Sequence, residues 1–304
     1  MLVLGASGFI GSHVFSALKD AEYRVAGTST SGEGTDFACD LRDPESVEEV
    51  LRAASPGAIV AAAGISSVKE AWDDPEATLA VNTRGYFNLL EAIRQLAPDA
   101  HLTVASSASV YGPPASSVSL PFTEDSALNP ASPYGASKAA TEVLCHQYER
   151  QYGLQVAVIR LFNQVGPGQS DVHAPAEFAR RIAVAEKQGE KGWMVPMGNP
   201  ESRRDFTDVR DSAQALVSIV DERLVGTYNL CSGQSNSLRE ILAGIVMATK
   251  VEVGIQLKPE RSHPADISEL YGSGKKLFDA IGWQASTPLD ESLADLLEDF
   301  RGRV

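Results

Sequence analysis

A doubly wound parallel α/β sheet, with a smaller discontinuous α+β lobe towards the C-terminus, is the fold the sequence predicts. Three observations carry it. Short apolar segments alternate with amphipathic ones through the first half of the chain, a glycine-rich turn follows the first of them, and beyond residue 162 the alternation loosens into Gly- and Pro-rich stretches. Residues 1–4 read as a buried strand and 9–19 as a helix. A strand at 23–28 is followed by a helix at 45–54, behind the Asp43-Pro44 start signal. Strands at 58–63 and 101–105 flank a helix at 75–97, and a long helix at 134–152 leads into a strand at 155–160. Farther on, helices are expected at 176–187, 237–248 and 290–300, with a short strand at 227–230. Residues 1–162 plus 205–233 then make the sheet domain, and 163–204 plus 234–304 make the lobe over its crevice.

Composition narrows the classes. With 304 residues, 43% of them hydrophobic and 22% charged, the chain can bury a full core and a second lobe. No apolar run approaches the ~20 residues that span a bilayer, and residues 1–4 run into glycines without the basic flank of a signal peptide. Cys39, Cys145 and Cys231 are far apart and lack metal spacing, which reads as three reduced thiols in a cytoplasmic protein. The histidines show no metal spacing either, so no metal is expected. A formal charge of −14 repels nucleic acid and anionic membranes. An anionic small molecule would need arginines focused in one cleft.

Gly5-Ala-Ser7-Gly8-Phe9-Ile10-Gly11 lies between the first strand and the first helix. The first glycine permits a tight turn, the second lets backbone approach a pyrophosphate, and the third lets helix and strand close together at a phosphate-facing N-terminus. The second strand ends Gly27-Thr28-Ser29-Thr30, without the carboxylate that binds a ribose 2′-hydroxyl in NAD-selective sites. Ser29 leaves room for a 2′-phosphate held by hydroxyls, although the expected arginine is missing unless Arg24 or Arg42 swings in. NADP is the preferred expectation and NAD the alternative. Tyr134-Gly-Ala-Ser-Lys138 places a phenol and an ammonium at i and i+4 on one helical face. A cation beside a phenol favours its anion and makes it a working proton donor and acceptor.

These features, in this order, resemble the extended short-chain dehydrogenase/reductases, the NAD-dependent epimerase/dehydratase family, over nearly the whole chain. The resemblance implies a Rossmann-type sheet and further roles. Asp40-Leu41 would contact adenine, Ala62-Ala63-Gly64 would lie beneath the adenosine and pyrophosphate, and Asn82 would sit on the helix beside the active site. Tyr134 would move the proton, Lys138 would also bind the nicotinamide ribose, and Ser107 would polarise a carbonyl, with Ser106 or Ser109 as alternatives. Dehydratases of this family carry an Asp-Glu pair directly after that serine. Ala108 and Ser109 stand there, which argues against elimination.

At the other end, Arg160-Leu161-Phe162-Asn163 resembles the segment where nicotinamide packs and an Asn meets a diphosphate. Arg204, in Arg-Asp-Phe-Thr-Asp-Val-Arg-Asp211, resembles a phosphate-binding arginine, Arg261 a second one, and Arg180 or Arg181 would reach the base or phosphates. Arginine suits these oxygens because its planar fork binds them bidentately. His263 stands where an arginine is frequent. Ser107, Ser109, Asn163, Arg181, Arg204 and Arg261 thus form the expected substrate side. The combination most resembles GDP-4-keto-6-deoxymannose reductases. It implies NAD(P)H-dependent reduction of a nucleotide-linked 4-keto-6-deoxyhexose, with a nucleotide-sugar 4-epimerase holding NAD tightly as the alternative and a non-catalytic NADP sensor as a distant third. A homodimer through the helices at 78–97 and 134–152 is implied by the same resemblance.

Overall fold

The computed structural model describes residues 1–114, 120–261 and 267–304, the side chain of Arg261 excepted. In the first half the elements run β1 (Leu2–Leu4), α1 (Phe9–Asp20), β2 (Ala26–Ser29), β3 (Phe37–Ala38), α2 (Pro44–Ala54) and β4 (Ala58–Ala61). They continue with α3 (Val68–Asp73), α4 (Pro75–Leu79), a π-helical turn (Ala80–Arg84), α5 (Gly85–Leu96), β5 (His101–Ser107), α6 (Pro133–Tyr152) and β6 (Gln155–Leu161). Then come β7 (Asn163–Val165), α7 (Ala174–Lys187), β8 (Gly192–Met197), β9 (Arg203–Arg204), β10 (Phe206–Asp208), α8 (Val209–Asp221) and β11 (Gly226–Leu230). The chain finishes with β12 (Asn236–Ser237), α9 (Leu238–Val246), β13 (Glu252–Leu257), β14 (Glu269–Leu270), α10 (Lys275–Ile281) and α11 (Leu289–Arg303).

The main sheet has the order β11-β6-β5-β4-β1-β2-β3, and every neighbouring pair is parallel. Strand alternation explains how both faces are covered. Leu2, Leu4, Val156 and Val158 point to the face packed by α2, α5 and α6, while Val3, Ala157 and Ile159 point to the face packed by α1 and α8. The chain winds outward from β1 through β2 to β3, then returns to lay β4 on the other side of β1. A crevice opens at that switch point, beyond the C-terminal ends of β1 and β4.

A third cluster, made by α7, α9, α11 and β8, buries Phe178, Ile182, Val195, Ile241, Leu296 and Phe300 away from the sheet. Residues 234–304 do not all join it. Leu277 of α10, with Ile281 and Trp283, packs into the cluster of α1, α8 and β11 on the sheet, because these apolar side chains continue that face. The helix expected at 75–97 also differs, since a π turn interrupts it and carries Asn82. Several elements went unread, among them β8 and α8. Strand β8 contains Pro196 but pairs with β13 in a two-stranded sheet, where a missing N–H is tolerated. Helix α8 opens with Asp208 capping Arg210 N–H and buries Ala213, Leu216 and Val220.

Candidate active site

The glycine turn has the geometry its sequence requires. Gly5 sits at φ 81°, and a Cβ there would stand 2.8 Å from the Ala63 backbone, so the turn after β1 presses on the loop after β4. A Cβ on Gly11 would stand 2.0 Å from the Gly5 carbonyl oxygen. Gly8 N–H donates to Gly5 O at 2.9 Å, and α1 opens at Gly8 without a side-chain cap. Ser7 and Gly8 are exposed, while Phe9 and Ile10 are half-buried. The result is a backbone-lined cradle at an uncapped helix N-terminus, which favours an anion. Tyr86 supports the facing loop by donating to Ala61 O at 3.0 Å and Ala63 O at 2.8 Å.

At the end of β2, Ser29 Oγ donates to Glu33 O at 3.3 Å and lies 3.1 Å from Thr35 Oγ1. Arg42 does not swing there. Its guanidinium is held by both oxygens of Asp40, the closest contact being 2.7 Å, and this pairing keeps the Asp40 carboxyl below its ordinary range. Leu41 is buried, and its carbonyl accepts from Asn88 Nδ2 at 2.9 Å.

Ser107, Tyr134 and Lys138 come together. Ser107 ends β5, and its Oγ accepts from Ser109 N–H at 3.1 Å. Tyr134 lies in the first turn of α6, which Pro133 opens and Ser132 Oγ caps by accepting Gly135 N–H at 3.1 Å. The Tyr134 hydroxyl is hydrogen-bonded to Ser107. Lys138 Nζ donates to Ala105 O at 2.8 Å, and a Cβ on Gly64 would stand 3.7 Å from it. The ammonium therefore sits between the ends of β4 and β5, facing the same crevice as the glycine turn. Asn82 ties this region together: Oδ1 accepts Ile65 N–H at 2.9 Å, and Nδ2 donates to Ile65 O at 2.9 Å and to Ser137 Oγ at 3.1 Å. Ser106 points the other way, its Oγ donating to Glu142 at 2.5 Å, so Ser107 is the serine that meets Tyr134. Burial raises the Tyr134 pKa, with the Ser107 hydrogen bond opposing, so the phenol stays protonated at neutral pH. Burial brings Lys138 down to about 8, with Glu142 opposing.

The expected substrate side is more scattered. Asn163 is half-buried at the start of β7, and its N–H donates to Asp205 O at 3.0 Å. Arg204 lies on β9 with Nη1 donating to Arg203 O at 2.8 Å. Arg181 is paired with Glu177, and Arg180 with Asp171, each at 2.8 Å. Arg261 ends a short 3₁₀ turn, and His263 lies outside the described residues. Leu161 and Phe162 are almost fully buried. Leu161 packs in the sheet core, and the Phe162 ring covers Gly272 beside Tyr111. Among the described residues, no group of three His, Cys, Asp or Glu could hold a metal ion, and no helix is long and apolar enough to cross a membrane.

The family model described as GDP-mannose 4,6 dehydratase matches residues 2–296. The chain belongs to that family. It is an enzyme of the extended short-chain dehydrogenase/reductase class. It is 34% identical to GDP-6-deoxy-D-mannose reductase of Pseudomonas aeruginosa, over 100% of this chain and 98% of that one. Among solved structures, RMD from Pseudomonas aeruginosa complexed with NADPH superimposes with a TM-score of 0.87 and 33% identity, covering 100% and 99% of the two chains. UDP-glucose 4-epimerase from Thermus thermophilus in complex with NAD gives 0.89 and 31%, over 100% and 99%.

The family-like stretch from Arg204 to Asp211 holds three acids whose work the sequence left unread. Asp205 is buried and accepts from Ser232 N–H, Ser232 Oγ and Gly233 N–H at 2.7–2.9 Å. Asp208 caps α8 and accepts from Ser292 Oγ at 2.6 Å. Asp211 takes the N–H and hydroxyl groups of Ser286 and Thr287 at 2.7–3.0 Å. Each fastens a distant segment onto one short stretch. The signal in sequence was three acids at a spacing of three, and only the fold reveals their partners.

Proposed function

We propose that this enzyme reduces the 4-keto group of a nucleotide-linked 4-keto-6-deoxyhexose, GDP-4-keto-6-deoxymannose in the first instance, with NADPH. The backbone cradle around Gly5 and Gly11, which a Cβ would fill, fits a dinucleotide pyrophosphate. Gly5, Ser7, Gly8, Phe9, Ile10 and Gly11 would hold it, with Ser29 at the 2′-phosphate, Asp40 and Leu41 at adenine, and Ala62, Ala63, Gly64 and Asn82 along the crevice. Lys138 and Tyr134 would meet the nicotinamide ribose, next to Leu161 and Phe162. Ser107, Ser109, Asn163, Arg181, Arg204 and Arg261 would take the sugar nucleotide.

Bound NADPH supplies the hydride for the carbonyl carbon. Tyr134 gives its phenolic proton to the developing 4-alkoxide, the Lys138 ammonium holds the phenolate left behind, and Ser107 donates to the oxygen until the phenol is restored from water. A phenol kept protonated suits this direction, because reduction calls for an acid. Elimination of water would need an acid and a base after Ser107, and Ala108 and Ser109 supply neither.

The end of β2 carries the choice between reduction and epimerisation. Ser29 and Thr35 offer hydroxyls to a 2′-phosphate, and NADPH that exchanges each turnover serves a reductase. The reductase relative of Pseudomonas aeruginosa supports the same choice. The likeness to the NAD-bound Thermus epimerase favours a second reading, a 4-epimerase that retains NAD. Mixing the enzyme with GDP-4-keto-6-deoxymannose and either NADPH or NADH separates them. Stoichiometric loss of NADPH absorbance is expected, with kcat falling as pH rises through about 8, where Lys138 loses its proton. No consumption, in a protein that purifies with NAD bound, would decide for the epimerase.

The same reading includes a homodimer. Leu79, Phe87, Val143 and Tyr152 on α4, α5 and α6 are exposed apolar side chains on helices that pack together. Sedimentation equilibrium should give twice the 32.4 kDa chain mass, and Val143→Glu should return it to the single value; a wild-type monomer would refute the dimer.

A further inference from the structure

Two opposite charges are buried one helical turn below Lys138. Glu142 is 1% exposed and Arg160 5%. Glu142 follows Lys138 by four residues on α6, on the same helical face. Arg160, on β6, donates Nε to the two carboxylate oxygens of Glu142 at 3.2 and 3.1 Å and Nη2 to one of them at 2.8 Å. Its Nη1 donates to the Tyr111 hydroxyl and to Glu124 O, each at 3.0 Å, and the guanidinium stands 4.9 Å above the Tyr111 ring. Tyr111 in turn donates to Asn229 Oδ1 of β11 at 2.6 Å. Ser106 Oγ completes the set on Glu142.

Stability alone does not account for such a pair, since well-packed apolar residues in its place are commonly neutral or stabilising. Its placement does. Ser106 and Ser107 are adjacent on a strand and point to opposite faces. Anchoring Ser106 to Glu142 therefore aims Ser107 at Tyr134, while the same carboxylate, through Arg160, fixes α6 against β6. We propose that Glu142 and Arg160 are positioning residues: their pair locks the strand that carries Ser107 to the helix that carries Tyr134 and Lys138, and it keeps a carboxylate one turn below the lysine ammonium. This rests on the reading of Tyr134 and Lys138 as catalytic.

The groups around Lys138 single out Glu142 as the charge that matters. Cys145 faces it from α6, Tyr134 precedes it by one turn on the same helical face, Tyr86 of α5 lies 5.5 Å away between Nζ and ring centre, and Arg160 belongs to the pair on β6. Burial pushes the Cys145 thiol up to about 12 and the Tyr86 phenol higher still, so both are neutral. Glu142 raises the proton affinity of Lys138, and its loss should lower it.

The test compares Glu142→Gln with the double variant Glu142→Gln/Arg160→Met, which leaves no lone buried charge and so protects folding. Kinetics with NADPH and GDP-4-keto-6-deoxymannose should show kcat down about 10–100-fold in the double variant, as a misplaced catalytic group predicts. The Michaelis constants should stay within about threefold, and in Glu142→Gln, where only the carboxylate charge is lost, the alkaline limb should move down by about one pH unit. Carbon-13 NMR of the lysine side chains, with Lys138→Met assigning the resonance, reads the same titration without substrate. It tests the effect of Glu142 on Lys138 even if the wild type turns over a different sugar nucleotide. Unchanged kcat in a folded double variant, or an unmoved Lys138 titration in Glu142→Gln, overturns the proposal. So does a loss of rate matched by lost NADPH affinity with no shift in pH.

Discussion

Tyr134→Phe is expected to lower kcat by about 10²–10⁴-fold, the usual contribution of a positioned proton donor, while NADPH binding stays within about twofold of wild type. At about 1.4 kcal/mol per tenfold, that is roughly 3–5 kcal/mol of transition-state stabilisation lost with one hydroxyl. The structure makes the substitution clean. The Tyr134 ring is 8% exposed at the start of α6 and is retained as phenylalanine, so packing is kept and only the hydrogen bond to Ser107 disappears. Lys138 keeps its bond to Ala105 O, and the glycine cradle is untouched. Steady-state kinetics beside a fluorescence titration with NADPH would check both halves. Near-normal turnover would remove Tyr134 from the chemistry. Lost NADPH binding would instead mean that the phenol is part of the cofactor cradle more than of the proton path.

How much of this was legible beforehand varies by element. The sheet was, because parallel strands buried on both faces read as short continuous apolar runs such as residues 58–61 and 156–159. The Tyr134–Lys138 pair was, because i and i+4 share a helical face whatever surrounds them. Strand alternation also held the answer for Ser106 against Ser107, but choosing required knowing which face carries α6 and Glu142. Pro196 hid β8, whose neighbour β13 comes from more than 50 positions later in the chain. The commitment of Arg42 to Asp40 was invisible for a different reason: two residues apart outside regular structure, nothing in the sequence fixes whether the side chains meet. Arg181 of α7 is the opposite case, since helical spacing gives it a partner in Glu177. Pairing of this kind is local, and a ligand must compete with it.

Gly11→Ala is the second large effect, and two opposing magnitudes decide its sign. Alanine is favoured over glycine inside a helix by about 1 kcal/mol, so on propensity α1 would gain. The added methyl, however, would stand 2.0 Å from Gly5 O, 2.8 Å from Gly5 C and 3.3 Å from Ala6 Cα. All three are backbone atoms of the turn itself, and that turn is wedged from its other side by Ala63. No flexible side chain can give way, so α1 must lift off β1, at a cost of about 1–3 kcal/mol or more for forced overpacking. Sterics win. The expected result is a melting temperature lower by several degrees, at roughly 2–4 °C per kcal/mol in a chain of this size class, and NADPH affinity reduced by at least about tenfold. The affinity loss follows because the first-turn N–H groups of α1 move away from where a pyrophosphate would sit. Tyr134 and Lys138 lie on other elements and keep their geometry, so kcat at saturating NADPH should fall far less than kcat/KM for the cofactor. Unchanged affinity in a destabilised protein would show that the glycine turn serves packing alone, and the dinucleotide would have to be sought elsewhere along the crevice.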